Sequence, residues 1–115
     1  MTRRGEVVLV SLGPVVGREQ GKIRPAIVVS NDAANAVAAK FSGLITVVPL
    51  TSNVRKVFDF QVRLAPHEGG LDRPSKAQCE QTRSVSVERI VRSLGTLSAE
   101  RMGEVDEALR IQLDL

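Results

Sequence analysis

Apolar residues in the first half of the chain occur in short runs separated by turn residues. Four runs predict β-strands, because they are rich in β-branched residues and bounded by Gly, Pro, Asn or Ser. These runs are residues Glu6–Ser11, Arg24–Ser30, Leu44–Leu50 and Phe58–Arg63. Pro25 can only open its strand or lie at a sheet edge, because it has no N–H to donate to a neighbouring strand.

The second half predicts two more strands and then a helix. The strands are Lys76–Val85 and Val91–Leu94, and a shorter helix or turn is predicted earlier, over Ala33–Lys40. The C-terminal helix begins at the cap residue Ser98, and its apolar face consists of residues at helical spacing: Met102, Val105, Leu109 and Leu113. Together the elements predict one mainly β (α+β) domain over residues 1–115, a small, strongly bent β-barrel with a helix packed on it.

Composition excludes several classes of protein. With 43% hydrophobic and 25% charged residues among 115, the chain is too apolar for intrinsic disorder. Its longest apolar run, Leu44–Leu50, is far shorter than the roughly 20 residues of a membrane-spanning helix. At the N-terminus the basic residues are followed only by the apolar run Val7–Val10, which is too short for the core of a signal peptide. One cysteine and one histidine form no zinc site and no internal disulfide. We therefore expect an intracellular, cytoplasmic protein without a metal or other cofactor.

The charge is distributed unevenly along the chain. Residues 1–65 contain nine Lys or Arg and four acids, a net charge of +5, whereas residues 66–115 contain seven bases and nine acids, a net charge of −2. The basic half is the expected anion-facing surface, with phosphate as the obvious anion. The alternative is an ordinary solvated positive face. Stacking of bases on aromatic side chains is not the main mode of any nucleic-acid binding, because the chain has three Phe and no Trp or Tyr.

Two polar clusters stand at predicted strand ends beside Gly or Pro. In the first, Arg24 begins an apolar strand, so its guanidinium would be held in a position to bind phosphate with two hydrogen bonds. In the second, Thr51 follows Pro49, and its hydroxyl can either cap a turn or donate to an anion. Taken alone, Arg24 and Thr51 are more typical of surface and turn positions than of a functional site, and the carboxylate of Glu19 is more typical of a solvated surface.

The clusters occur in an ordered series of motifs. The motifs are Gly17–Pro25, Val28–Asp32, Val47–Asn53, Gly70–Asp72, Cys79–Val85 and Val105–Leu109. In this order and spacing the sequence resembles the MazF/PemK family of toxin endoribonucleases from bacterial type II toxin–antitoxin modules, over nearly the whole chain. Gln78 departs from the resemblance, since many relatives have an apolar residue there.

The resemblance implies a fold, an activity and partners. The implied fold is an SH3-like barrel with a C-terminal helix, and the implied assembly is a symmetric homodimer. The implied activity is sequence-specific, metal-independent cleavage of single-stranded RNA (mRNA), with 2′,3′-cyclic phosphate and 5′-hydroxyl ends. A cognate antitoxin is expected to neutralise the toxin by covering the RNA groove with a flexible segment.

The resemblance also assigns roles to residues. Arg24 and Thr51 match the catalytic arginine and threonine, and Glu19 matches an acid beside them. The matched RNA-binding residues are Gln20, Lys22, Ser52, Asn53, Arg55 and Gln81. The general base stays open: the family view lets the arginine act as acid or base, whereas a guanidinium is already protonated and is a poor free base, which favours Glu19 or a water molecule.

A toxin of similar fold that poisons DNA gyrase without catalysis is the rival function. Fold alone does not separate the two, because small barrels support many functions. Arg24 and Thr51 favour the nuclease, because a gyrase-binding protein has no need of them.

Overall fold

The structure is a computed structural model, described here for residues 2–12 and 23–115. These residues form two α-helices and seven strands. The helices are α1 (Asp32–Phe41) and α2 (Ala99–Leu113). The strands are β1 (Glu6–Ser11), β2 (Ile23–Val28), β3 (Leu44–Thr51), β4 (Gln61–Leu64), β5 (Ser75–Gln78), β6 (Arg83–Ser86) and β7 (Ile90–Thr96).

All strand pairs in this part of the chain are antiparallel, in the order β4-β5-β3-β2-β1-β7, with β6 also paired to β3. β3 is therefore the central strand, and two different strands pair with one of its edges. That edge pairs with β6 from Leu44 to Val47 and with β5 at Leu50 and Thr51. Pro49 lies between the two stretches, where a missing N–H costs no ladder hydrogen bond on that edge.

The central strands are buried on both faces. Successive residues of β2 alternate between two apolar clusters: Ile27 belongs to one, and Ala26 and Val28 belong to the other. α2 covers the first cluster through Met102, Val105 and Ala108, and α1 covers the second through Ala38. Burial on both faces explains why these strands read as continuous apolar runs instead of alternating ones.

Both helices begin at side-chain caps. Asn31 Oδ1 accepts a hydrogen bond from Ala34 N at 2.8 Å, and Ser98 Oγ accepts one from Arg101 N at 3.2 Å. The predicted α2 face is only partly right, because Ala108 is buried while Leu113 is exposed near the helix end. No helix in the described ranges is long and apolar enough to cross a membrane.

The expected small β-structure with a C-terminal helix is confirmed, but three details differ. Lys76–Val85 is not one strand: a short 3₁₀ turn, Cys79–Gln81, separates β5 from β6. The strand predicted over Phe58–Arg63 begins only at Gln61, and the rings of Phe58 and Phe60 instead stack with centroids 5.1 Å apart. Pro25 lies inside β2, opposite Leu9 of β1, but pairing with β3 begins one residue later, so no ladder bond to β3 is lost there.

Candidate active site

Arg24 and Thr51 lie opposite each other at one end of the β2–β3 pair. The last paired residues are Ala26 and Pro49. Carrying the same register two residues further places Arg24 opposite Thr51, although the two are far apart in sequence. Because side chains alternate along a strand, both project from the same face as Ala26 and Pro49.

The two side chains share a pocket of about 380 Å³. Its described lining comes from the ends of β1, β2, β3 and β5, from the 3₁₀ turn and from β6. The lining residues are Leu12, Arg24, Pro49, Thr51, Gln78, Gln81 and Arg83. Three residues singled out from the sequence, Arg24, Thr51 and Gln81, thus converge on one site.

Local hydrogen bonds fix the conformation of the segment that follows β3. Asn53 N donates to Thr51 Oγ1 at 3.2 Å, and Arg55 N donates to Asn53 Oδ1 at 3.3 Å. Further along, the buried Lys76 donates from Nζ to the carbonyl oxygen of Lys56 at 2.5 Å. Ser52, Asn53 and Arg55 are exposed and do not line the pocket, but the chain places them directly beyond its Thr51 rim.

The Thr51 hydroxyl is oriented by this arrangement. Its oxygen accepts the hydrogen bond from Asn53 N, so its own hydrogen stays available to a ligand in the pocket. Glu19, Gln20 and Lys22, the other residues predicted for the site, lie outside the described residues, and their roles stay predictions.

The described pocket lining is cationic and polar. It contains two guanidinium groups, two amides and one hydroxyl, and no carboxylate. Such a set donates hydrogen bonds in several directions and attracts anions, which suits a phosphate group. Within residues 2–12 and 23–115, no three His, Cys, Asp or Glu residues come together as a metal-ligand set.

Comparison with known proteins identifies the family. A sequence profile for the PemK-like, MazF-like toxin of type II toxin–antitoxin systems matches residues 3–113. The chain belongs to this toxin family. Endoribonuclease MazF9 of Mycobacterium tuberculosis is 51% identical over 116 residues, covering 100% of this chain and 98% of that protein.

Solved structures agree with this toxin assignment. The form II MazE–MazF crystal structure of Deinococcus radiodurans aligns with a TM-score of 0.80 and 29% identity over 99% of this chain and 96% of that one. A mycobacterial endoribonuclease in complex with its cognate antitoxin aligns with a TM-score of 0.78 over 100% of this chain and 97% of that one. At 22% identity, that second likeness shows the shared fold alone.

Two polar residues of the toxin's pocket, Gln78 and Arg83, are not among the site residues predicted from the sequence. Gln81 and Arg83 are two residues apart within the predicted strand Lys76–Val85, and this spacing predicts that they share one face of that strand. That interpretation is wrong in detail, because Gln81 ends the 3₁₀ turn and Arg83 begins β6. They still face one pocket, since the turn carries the chain around its rim.

The other two residues of the turn serve the toxin's packing. Glu80 Oε2 accepts a hydrogen bond from Gln61 Nε2 at 2.8 Å, and Gln61 Oε1 accepts one from Phe58 N at 3.1 Å. The carboxylate thus ties the turn to β4 instead of lining the pocket. Burial, with a smaller contribution from the charge of Glu80, raises the pKa of the Cys79 thiol to about 11, so this thiol is a poor nucleophile at neutral pH.

Proposed function

We propose that the chain is an endoribonuclease toxin that cleaves single-stranded RNA, including mRNA, at specific sequences. The observation that carries the proposal is the convergence of Arg24, Thr51 and Gln81 in a cationic pocket whose described lining has no carboxylate. The 51% identity to endoribonuclease MazF9 over the whole chain supports the same activity. The relatives named above are endoribonucleases or MazF toxins, and none supports the gyrase-binding alternative.

In the proposed reaction the RNA supplies its own nucleophile. The 2′-hydroxyl attacks the adjacent phosphorus, the P–O5′ bond breaks, and the products carry a 2′,3′-cyclic phosphate and a 5′-hydroxyl. The toxin must hold this attack in line, stabilise the charge that develops on the phosphorane and transfer two protons. The pocket supplies positive charge through guanidinium groups, so the proposed reaction needs no metal.

Arg24 and Thr51 both bind the phosphate, each with its own hydrogen bonds. The fork of Arg24 suits two hydrogen bonds to non-bridging oxygens, and it keeps its charge throughout the reaction. The Thr51 hydroxyl, oriented by Asn53 N, donates a further hydrogen bond. The base is Glu19 or a water molecule, because a guanidinium is already protonated and is therefore a poor proton acceptor.

The bases and phosphates next to the cut would run along both sides of the pocket. On one side lie Ser52, Asn53 and Arg55, whose exposed side chains follow Thr51 directly. On another lies Gln81, at the end of the 3₁₀ turn. Gln20 and Lys22 complete the proposed RNA-binding set. Amide and guanidinium groups at these positions can contact base edges as well as phosphates, which suits a sequence-specific nuclease.

The proposed assembly is a cytoplasmic homodimer controlled by a cognate antitoxin. A two-fold axis would join two basic halves of net charge +5 and lengthen the RNA groove. The same charge suits an acidic, flexible antitoxin segment that folds into the groove and competes with RNA. The mycobacterial endoribonuclease in complex with its cognate antitoxin is a precedent for a protein of this fold that is bound by an antitoxin.

The decisive experiment is cleavage of a long RNA by the purified protein in excess EDTA, followed by mapping of the cut ends. We expect cuts at a short recurring sequence with 2′,3′-cyclic phosphate and 5′-hydroxyl ends. Arg24→Gln should slow cleavage by about a hundredfold or more, since one preorganised charge donor is worth roughly 3 kcal/mol. Arg110→Gln on α2 removes the same charge outside the pocket and should leave the rate unchanged. Intact RNA after prolonged incubation with the wild-type protein would refute the proposal.

The control mechanism has a separate test. In this test, the purified toxin is mixed with an acidic antitoxin peptide and with a non-cleavable RNA that has a 2′-deoxy sugar at the cut site. Competition for one groove predicts that saturating RNA lowers the apparent affinity of the peptide, and that added salt slows peptide association. Unchanged peptide affinity in saturating RNA would place the antitoxin elsewhere on the toxin.

A further inference from the structure

Arg83 lines the active-site pocket, yet neither the motifs nor the proposed reaction gives it a role. It is the first residue of β6, and its backbone pairs with Val47 of the central strand. Arg24 reaches the same pocket from β2, and Thr51 reaches it from the end of β3. Two guanidinium groups from separate strands therefore meet at one small site.

The backbone that carries Arg83 is held on both sides. After it, β6 pairs with four consecutive residues of β3, Leu44–Val47. Before it, Thr82 closes the 3₁₀ turn by donating to the carbonyl oxygen of Cys79 from its N–H, at 3.2 Å, and from its Oγ1, at 2.6 Å. The Cα of Arg83 is therefore fixed at the rim of the pocket, so its side chain enters the site from a defined point of the backbone.

The charge of Arg83 is not used within the described structure. The salt bridges found in residues 2–12 and 23–115 employ other arginines, all outside the pocket: Arg4, Arg73, Arg101 and Arg110. The pocket's described lining also offers no carboxylate. Among the described residues no carboxylate pairs with the guanidinium of Arg83, and the cationic and polar groups around it favour an anionic ligand.

A phosphodiester carries one negative charge, and the phosphorane formed from it develops a second. A single arginine balances the substrate but leaves the additional charge of the transition state uncompensated. A second cation accelerates the reaction if its interaction with the phosphate strengthens as this charge develops, because it then binds the transition state more tightly than the substrate.

We propose that Arg83 is the second cationic contact to the phosphate that is cut, and that it stabilises the developing charge of the phosphorane together with Arg24. This proposal rests on the proposed ribonuclease function. It predicts that loss of Arg83 acts mainly on the chemical step and much less on RNA affinity.

The test compares Arg83→Gln and Arg83→Lys with Arg110→Gln as the charge-matched control. Single-turnover cleavage in EDTA reports the chemical step, and binding of RNA with a 2′-deoxy sugar at the cut site reports affinity without cleavage. Arg83→Gln should lower the single-turnover rate by about a hundredfold, the usual effect of removing one preorganised donor. Its affinity for the 2′-deoxy RNA should change no more than that of Arg110→Gln. Arg83→Lys should recover part of the rate, because it keeps the charge but loses the planar fork.

Two outcomes would overturn the proposal: an Arg83→Gln rate close to wild type, or a loss of affinity for the 2′-deoxy RNA as large as the loss of rate. Thermal unfolding of each variant serves as the folding control. Should Arg83→Gln fail to fold, Arg83→Met takes its place, because it also removes the charge and keeps part of the aliphatic side chain, and a wild-type rate in that variant would equally count against the proposal. Failure of the ribonuclease function itself is distinguishable, because the wild-type protein would then leave RNA intact.

Discussion

Gly70 occupies a position that only glycine fits, and its replacement tests how the turn beneath β7 is built. It ends the short 3₁₀ turn Glu68–Gly70 with a φ of +76°, a left-handed conformation that L side chains adopt at a cost. A Cβ placed on Gly70 would lie 2.0 Å from the carbonyl oxygen of Leu94 and 2.6 Å from its carbonyl carbon. Both atoms are backbone atoms of β7, so no side-chain rotation relieves the overlap.

Two costs add for Gly70→Ala. The positive φ costs roughly 1–2 kcal/mol for a residue with a Cβ. Moving the turn and β7 apart by more than 1 Å resembles overpacking of a core, which costs about 1–3 kcal/mol. We therefore expect a loss of about 2–5 kcal/mol, a large share of the roughly 5–15 kcal/mol by which a domain is stable. At roughly 4 °C per kcal/mol for a domain of this size, Tm should fall by about 8–20 °C.

Gly103→Ala provides the matched control. Gly103 is an exposed residue inside α2, and a Cβ there would meet no atom within 4 Å. The same chemical change should stabilise the protein by about 1 kcal/mol, because alanine has the higher helix propensity. Urea titration of both variants measures the two free energies of unfolding. A Gly70→Ala protein within 1 kcal/mol of wild type would show that the turn relaxes freely and that the steric reasoning is wrong.

Three further predictions follow from single side chains. Hydrogen bonds from the Arg101 side chain, and to a lesser degree from Ala65 N, hold the pKa of Glu68 below its ordinary value of 4.5. The Glu68 carboxylate therefore stabilises the fold above pH 4.5, and this stabilisation is lost as the pH falls through the native pKa. Glu68→Gln should be less stable than wild type at pH 7, and acid titration should show that the difference in stability shrinks below pH 4.5. Cys79 should resist iodoacetamide at pH 8 in the native protein and react once urea unfolds it, whereas fast native alkylation would contradict its burial and raised pKa. Ser98→Ala removes the cap of α2 and should cost about 1 kcal/mol in urea unfolding, and no change would mean that another group caps the helix.

The elements that depend on local pattern could be predicted from the sequence. Apolar runs located β1, β2 and β3, and a cap residue followed by helical spacing located α2. The two errors in strand assignment occurred where local side-chain contacts override β propensity. Phe58 and Phe60 stack on each other instead of joining β4, and the Thr82 hydroxyl closes a 3₁₀ turn within a stretch that reads as strand.

The site was predictable only in part. Motif order supplied Arg24, Thr51 and Gln81, which the structure brings together. It did not supply Gln78 and Arg83 as site residues, because their place in the pocket depends on which strands pair with β3 and in which register. Such pairings are non-local, and a shift of one residue would turn each side chain to the opposite face.

The position of the pocket has a physical cause in the central strand. Along one edge, β3 pairs first with β6 and then with β5. Between these two stretches, Val48 and Pro49 have no paired strand residue on that side. The chain between β5 and β6 bridges this gap as a 3₁₀ turn, so side chains from both strands and from the turn converge beside Pro49 and Thr51. The polar site therefore occupies an interruption in the hydrogen-bond ladder of β3, a central strand whose middle residues are buried. Five of the seven residues that line the described pocket come from paired strands, which are more rigid supports than loops, and a rigid support is what a preorganised phosphate site requires.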